Sequence, residues 1–337
     1  MGNGTRALEG DPGVSDSATT AAPGLARSRY GRFICVVVLI PLAFLLVAIP
    51  IVRSASFPAE SADPFLLHPD YPFSLKGVNC EVVIFGDSTA VTGVDPTIVE
   101  RSTGLKSCNI AQSQSILALI GTAALDTYLK NNAPPKYVVM QFAPETLARD
   151  RQDFFWAEGF TLLLRTRSIA AALPVMALHP VESYRFALWA LKAKVAALRG
   201  APPPDFSVTE ETFRSRGGLL ILPKPPQTRC TNSHPFLPPT RSWVQMLRDK
   251  YAVNGTTVLI DVAPIPTCAP NAAAIAQGIR AVSDSPLAQY PIALFCDLDR
   301  HLTLAGAQLW SAQLGQQILA HRAKRPPEAT LPHLRGS

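Results

Sequence analysis

The sequence predicts a doubly wound, mostly parallel α/β sheet preceded by one transmembrane helix, and three observations lead there. Twenty residues from Phe33 to Val52 carry no charge, enough at ~1.5 Å rise per residue to cross a hydrocarbon layer of ~30 Å. After them, short apolar runs of strand length alternate with longer stretches of helical periodicity, the rhythm of a sheet covered by helices on both faces. The first of those runs ends in Gly86-Asp87-Ser88. That places a serine at the carboxyl end of a parallel strand, the edge where open α/β sheets bind ligands.

The anchor comes first in the chain. Arg27, Arg29 and Arg32 crowd the N-terminal side of the apolar run and only Arg53 follows closely. The positive-inside rule then leaves residues 1–32 as a disordered cytoplasmic tail, 33–53 as the membrane helix and the rest in the periplasm or cell exterior. The run exceeds the apolar core of a cleavable signal, and RSAS is a poor cleavage site. The expected location is the cytoplasmic membrane, single-pass, with the N-terminus inside. Residues 54–77 read as a tether, 78–325 as one α/β domain and 326–337 as a tail. With 47% hydrophobic and 17% charged residues, and a net charge of +6 without a dense Lys/Arg run, the composition excludes a disordered or nucleic-acid-coating chain. No nucleic-acid partner is expected.

Along the domain, Val82 to Phe85 form a buried strand, GVDPTIVERSTG a short helix and CNIA a second strand. Ser115 to Asn131 have the period of one helix, and KYVVMQFAP is a third strand. Residues 150–200 insert helical stretches, and 201–240 form a proline-rich excursion too long for a simple connection. Regular structure resumes with RSWVQMLRDKYAVNG as helix, TTVLIDVAP as strand, NAAAIAQGIRAVS as helix, PIALFCD as the last strand and TLAGAQLWSAQLGQQILAHR as the closing helix. In the insertion, Phe186, Trp189, Ala190 and Ala193 share one side of a helix and suit packing on the domain. FFWAEGF clusters its aromatics too densely for one core stripe, so Trp156 and Phe160 are expected to dock on membrane lipid or a polytopic partner. Five cysteines follow the apolar run, and Cys80 with Cys108 and Cys230 with Cys268 are the preferred disulfides of an oxidising compartment. None has metal-ligand spacing, so no metal and no cofactor is expected.

Two segments carry chemistry. In VVIFGDST, Gly86 permits a tight turn and Ser88 sits near a helix N-terminus whose free N–H groups suit an oxyanion. In FCDLDRHLTLAG, more than 200 residues later, His301 precedes the last helix with a carboxylate on either side of Leu298. A serine nucleophile needs an imidazole base, and the imidazole needs a carboxylate to orient it. His68, His179 and His234 lie in proline-adjacent loops and read as surface residues, whereas Asp261 ends a strand at the same sheet edge and could line the pocket.

These blocks resemble the SGNH (GDSL-like) hydrolase superfamily, with its flavodoxin-like sheet. Its nucleophile lies in a GDS block after strand one, and its base in a D-x-x-H block before the last helix. More narrowly, FGDSTAVTGVDPTIVE, CNIAQSQS and DLDRHLTLAGAQLW look like the membrane-anchored SGNH-like proteins that accompany membrane-bound O-acyltransferases in cell-envelope glycan acylation. The resemblance implies Ser88 as nucleophile, His301 as base, an envelope glycan as substrate and a polytopic membrane-bound O-acyltransferase as partner. The chain departs from the pattern at three points. Position 298 is Leu where the family has Asp, leaving Asp297 or Asp299 as the acid, with Asp297 favoured because it directly follows the strand. The glycine expected after strand two is missing, so a backbone N–H near Gln112 or Ser113 stands in, with Asn109 and Asp87 completing the expected oxyanion and pocket set. The asparagine expected after strand three is also missing from QFAPET. The resulting expectation is a serine O-acyltransferase or acylesterase acting through an acyl-Ser88 intermediate. The alternatives are a non-catalytic accessory subunit that binds glycan or an acyltransferase and, third, a general lipase or thioesterase.

Overall fold

The computed structural model describes residues 30–34, 36, 39–54, 56–57, 71–148, 156–166, 169–201, 216–217, 224–231, 237–297 and 299–324. Expectations for the terminal tails, much of the tether, Phe154, Phe155, the side chain of Trp156 and most of the proline-rich excursion fall outside these residues.

Four short strands make the central parallel sheet: β1 (Val82–Gly86), β2 (Ser107–Asn109), β3 (Tyr137–Phe142) and β4 (Thr257–Val262), in the order β2-β1-β3-β4. Side chains alternate between the faces, as the pleat requires. Val83, Phe85, Val138, Met140 and Ile260 join one buried cluster. Val82, Ile84, Tyr137, Val139 and Leu259 join a second on the opposite face. Both faces are thus covered, which is why the strands read as continuous apolar runs.

The described helices of six or more residues are α1 (Ile40–Arg53), α2 (Ser88–Gly93), α3 (Pro96–Thr103), α4 (Gln114–Ile120), α5 (Ala123–Asn131), α6 (Trp156–Thr166), α7 (Ile169–Leu178), α8 (Pro180–Leu198), α9 (Arg241–Tyr251), α10 (Ala272–Ile279) and α11 (Leu304–Lys324). Tyr128 of α5, Leu247 of α9 and Ile275 of α10 fill the first cluster. Val91 of α2, Val99 of α3 and Trp310, Leu314 and Ile318 of α11 fill the second. The predicted helix over Ser115 to Asn131 divides between α4 and α5, with Gly121 in the left-handed region at φ +57°. Glycine adopts that conformation without the Cβ penalty.

The expected last strand does not join the main sheet. Ile292–Leu294 form a 3₁₀ turn, and β7 (Phe295–Asp297) pairs antiparallel with β8 (His301–Leu302). The two-residue strands β5 (Ile265–Pro266) and β6 (Gln289–Tyr290) form a separate parallel pair. The Phe295 carbonyl accepts from Gln227 N–H at 2.7 Å, so the backbone of β7 is occupied by the excursion and β8. Cys80–Cys108 and Cys230–Cys268 form disulfides with Cα separations of 5.9 and 6.1 Å, and Cys296 is buried as a free thiol.

Among the described residues no helix is long and apolar enough to cross a membrane. The apolar run includes residues 35, 37 and 38, which are not described, and its described helix is α1. Ala48, Ile49 and Val52 of α1 pack into a third buried cluster with Leu163 and Leu164 of α6, Met176 of α7 and Ala187 and Ala190 of α8. Arg165 caps the end of α1, donating from Nη1 to the carbonyls of Val52 and Ser54 at 3.0 and 2.9 Å, the cation that the helix C-terminus favours. Phe186 and Ala190 are buried as their shared side predicts.

Phe160 corrects the docking expectation. Its side chain is 0% exposed and meets Phe186 edge-to-face with centroids 5.6 Å apart. Phe160 thus belongs to a helical cluster away from the sheet rather than to a free surface. Phe160→Ser is therefore expected to destabilise the protein by about 3–5 kcal/mol, read as a lower thermal unfolding midpoint. An unchanged midpoint accompanied by lost binding to anionic vesicles would return Phe160 to a docking role.

Candidate active site

Strand β1 delivers the candidate nucleophile. Gly86 stands beside Gln141 of β3 in register, and a Cβ at 86 would collide with the Gln141 carbonyl, so the sheet admits only glycine there. The chain then turns, and Ser88 opens α2, where the first N–H groups of a helix have no acceptor within it.

Asp87 holds that turn. Its Oδ1 accepts from Thr89 N–H at 2.9 Å and Thr89 Oγ1 at 2.6 Å. Its Oδ2 accepts from Ala143 N–H at 2.8 Å and Thr146 Oγ1 at 2.6 Å. Burial pushes the carboxyl up, against the lowering by these four donors. Asp87 thus supports the turn and ties it to the loop after β3.

The imidazole arrives from the other end of the chain. His301 Nε2 lies 3.0 Å from Ser88 Oγ across 213 residues of sequence. Behind the ring, Asp297 Oδ2 lies 3.5 Å from Nδ1, longer than a closed N–H···O bond of about 2.9 Å. Such contacts are often long before substrate arrives. The spacing that departs from D-x-x-H has a geometric reason. Asp297 and His301 are cross-strand partners in the β7–β8 hairpin. Its turn closes with Arg300 N–H donating to the Asp297 carbonyl at 2.9 Å and with Asp299 left-handed at φ +57°.

The second candidate acid, Asp299, is engaged elsewhere. Its Oδ2 accepts from Thr231 N–H at 2.6 Å, and its own N–H donates to Gln227 Oε1 at 3.0 Å. Asp297 instead shares its Oδ2 with Lys224 Nζ at 2.9 Å. The His301 imidazole facing it first, and Lys224 after it, hold the Asp297 carboxyl down at about 2 despite partial desolvation. A depressed carboxyl stabilises the fold above its ordinary value of 3.8, a contribution lost as pH falls toward about 2.

The expected oxyanion donors fare differently. Gln112 N–H donates to the Gly86 carbonyl at 3.0 Å, and Ala111 N–H donates to Asn109 Oδ1 at 3.0 Å. Asn109 Nδ2 binds the carbonyls of Ala90 and Val94, both at 2.9 Å, closing the end of α2. Both Asn109 and the Gln112 backbone thus build the turn that carries Ser88, which takes the Gln112 N–H out of the oxyanion role. Ser113 lies half-buried just before α4.

Sequence reasoning missed several partners. Gln141 accepts from Trp310 Nε1 at 2.7 Å and donates to the Thr89 carbonyl at 3.3 Å, linking α11 to the nucleophile turn. Arg300 pairs with the buried Glu145 at 2.9 Å, joining the hairpin turn to the loop after β3. The alternation of β3 signals that Gln141 faces inward, but nothing local signals Lys224. Asp261, in register with Gln141, is pushed up to about 7 by burial, its Oδ1 accepting from Val262 N–H. Among the described residues no His/Cys/Asp/Glu group could hold a metal ion.

Asp297→Asn and Asp299→Asn should separate by role. Asp297→Asn is expected to slow reaction of Ser88 with a fluorophosphonate by about 10²-fold or more, with a modest loss of stability from the broken, partly exposed pair with Lys224. Asp299→Asn is expected to lower the unfolding midpoint by weakening the charge-assisted bond from Thr231 N–H, with a smaller rate effect. Equal, mild rate effects from both would show that neither carboxylate orients His301. No protein-family model, curated protein or solved structure matches this chain.

Proposed function

We propose that the protein is a membrane-anchored, SGNH-like serine O-acyltransferase or acylesterase that acts on an extracytoplasmic glycan through an acyl-Ser88 intermediate. The observation that carries this reading is the 3.0 Å approach of His301 Nε2 to Ser88 Oγ with a carboxylate behind the ring. In this arrangement Ser88 Oγ attacks the acyl carbonyl and His301 takes its proton. The tetrahedral intermediate collapses, and His301 returns the proton to the leaving alcohol. A glycan hydroxyl, or water, then gives its proton to His301 and attacks the acyl-serine. Collapse releases the product, and Ser88 Oγ recovers the proton.

The anchor, extracytoplasmic location and lipid contact are supported by the charge-free run Phe33 to Val52 and the arginines before it. Apolar side chains left exposed along that run and on α7, among them Phe33, Leu42, Leu46 and Leu173, point the same way. The disulfides Cys80–Cys108 and Cys230–Cys268 suit an oxidising compartment. A polytopic membrane-bound O-acyltransferase is the partner that would supply the acyl group.

One observation favours the accessory-subunit reading instead. The Ala111 and Gln112 N–H groups are already bonded, so the segment after β2 offers fewer donors to an oxyanion than a fast hydrolase needs. Loss of one such donor costs about 10²–10³ in rate. The full chain in detergent is expected to label with a fluorophosphonate and Ser88→Ala to abolish labelling. If wild type and Ser88→Ala are equally inert while both remain folded, the accessory reading stands.

A further inference from the structure

The proline-rich excursion contributes a basic group to the site. Lys224 Nζ pairs with Asp297 Oδ2 at 2.9 Å, and the same oxygen faces His301 Nδ1 at 3.5 Å. The segment bearing Lys224 is fixed against the His301 hairpin. Gln227 N–H donates to the Phe295 carbonyl at 2.7 Å, Asp299 N–H donates to Gln227 Oε1 at 3.0 Å, and Thr231 N–H donates to Asp299 Oδ2 at 2.6 Å. The Cys230–Cys268 disulfide ties the same segment to the loop after β5. The segment bearing Lys224 is therefore held near the acid by hydrogen bonds to both β7 and the hairpin turn.

We propose that Lys224 is a positioning residue that divides the Asp297 carboxylate between itself and His301, restraining the base and setting the pH range in which Ser88 reacts. The inference rests on the catalytic reading of Ser88, His301 and Asp297. When His301 takes the serine proton, its new positive charge develops against an oxygen that already holds a cation. Two cations on one carboxylate oxygen repel, so Lys224 makes the charged imidazole, and the transition state that contains it, less stable than an undivided Asp297 would.

The other charged groups around His301 do not reproduce this effect. Ser88 meets Nε2 from α2, and Asp297 meets Nδ1 from β7. Arg300, next in the chain, is matched by Glu145. Asp87 is enclosed by its four donors. Cys296, a free thiol, donates from Sγ to the His301 carbonyl, away from the ring.

The test is the pH profile of fluorophosphonate labelling of the full chain in detergent. Lys224 is half exposed, so Lys224→Met is expected to fold. Relative to wild type, its acid limb should move up by about 0.5–1 pH unit and its plateau rate should rise about 2–10-fold. Lys224→Arg, which keeps the cation, should restore the wild-type limb. Added salt, which screens a partly exposed pair, should move the wild-type limb upward and leave that of Lys224→Met in place. An unmoved limb in Lys224→Met, or a lower plateau with the limb fixed, overturns the inference and leaves Lys224 as a structural brace. A wild type that does not label at all overturns the catalytic reading together with this one, whereas a labelling wild type with an unmoved variant overturns this one alone.

Discussion

Beside Ser88 sits a carboxylate almost sealed from water, and the geometry of the site depends on how that carboxylate is satisfied. An unpaired ion there would cost several kcal/mol. Asp87 avoids this by accepting from two donors on Thr89 and from two more in the loop after β3, Ala143 N–H and Thr146 Oγ1. The turn that carries Ser88 is therefore tied to the exit of the neighbouring strand. Gly86 completes the constraint, since the Gln141 carbonyl occupies the space any larger residue would need. The reach from Ser88 Oγ to His301 Nε2, 3.0 Å, is the kind of distance that a small displacement of this turn would destroy.

The same economy explains the weak side of the site. The segment after β2 spends its polar groups on support: the Asn109 side chain closes α2, and the Gln112 N–H holds the Gly86 carbonyl. Groups committed to the ground-state fold cannot also stabilise a developing oxyanion. At the opposite end, the acid is shared with a lysine on a disulfide-tethered segment. The candidate nucleophile is thus held rigidly, and the carboxylate behind the imidazole is shared, while the Ala111 and Gln112 N–H groups serve the fold.

Much of this was legible in the sequence because the informative features are local. A buried parallel strand, a glycine and a serine at its end require only neighbouring residues to be recognised, and β1 with α2 lies where VVIFGDST places it. The same is true of the alternating apolar faces of β3 and β4. What the sequence concealed depends on chain segments far apart. The pairing of Asp297 with His301 arises from a hairpin whose left-handed residue is aspartate, not glycine, so no turn signature announced it. The backbone of β7 is also bonded by Gln227, in a segment with no periodicity. Phe160 was misread because aromatic density shows that a segment has apolar surface to bury but not whether protein or lipid covers it. A third cluster built on α1 and α8 supplied the cover. Lys224 lay in a proline-rich stretch where its partner could be known only from the fold.

The central claim is that His301 and Ser88 form a working pair, and it is tested most directly by site-resolved mass spectrometry after exposure of the full chain to p-nitrophenyl acetate. The account predicts acetyl on Ser88 in wild type and almost none on Ser88 in His301→Ala at the same pH and time. Acetylation of Ser88 to the same extent without the imidazole, or acetyl found on other side chains while Ser88 stays unmodified, would contradict it.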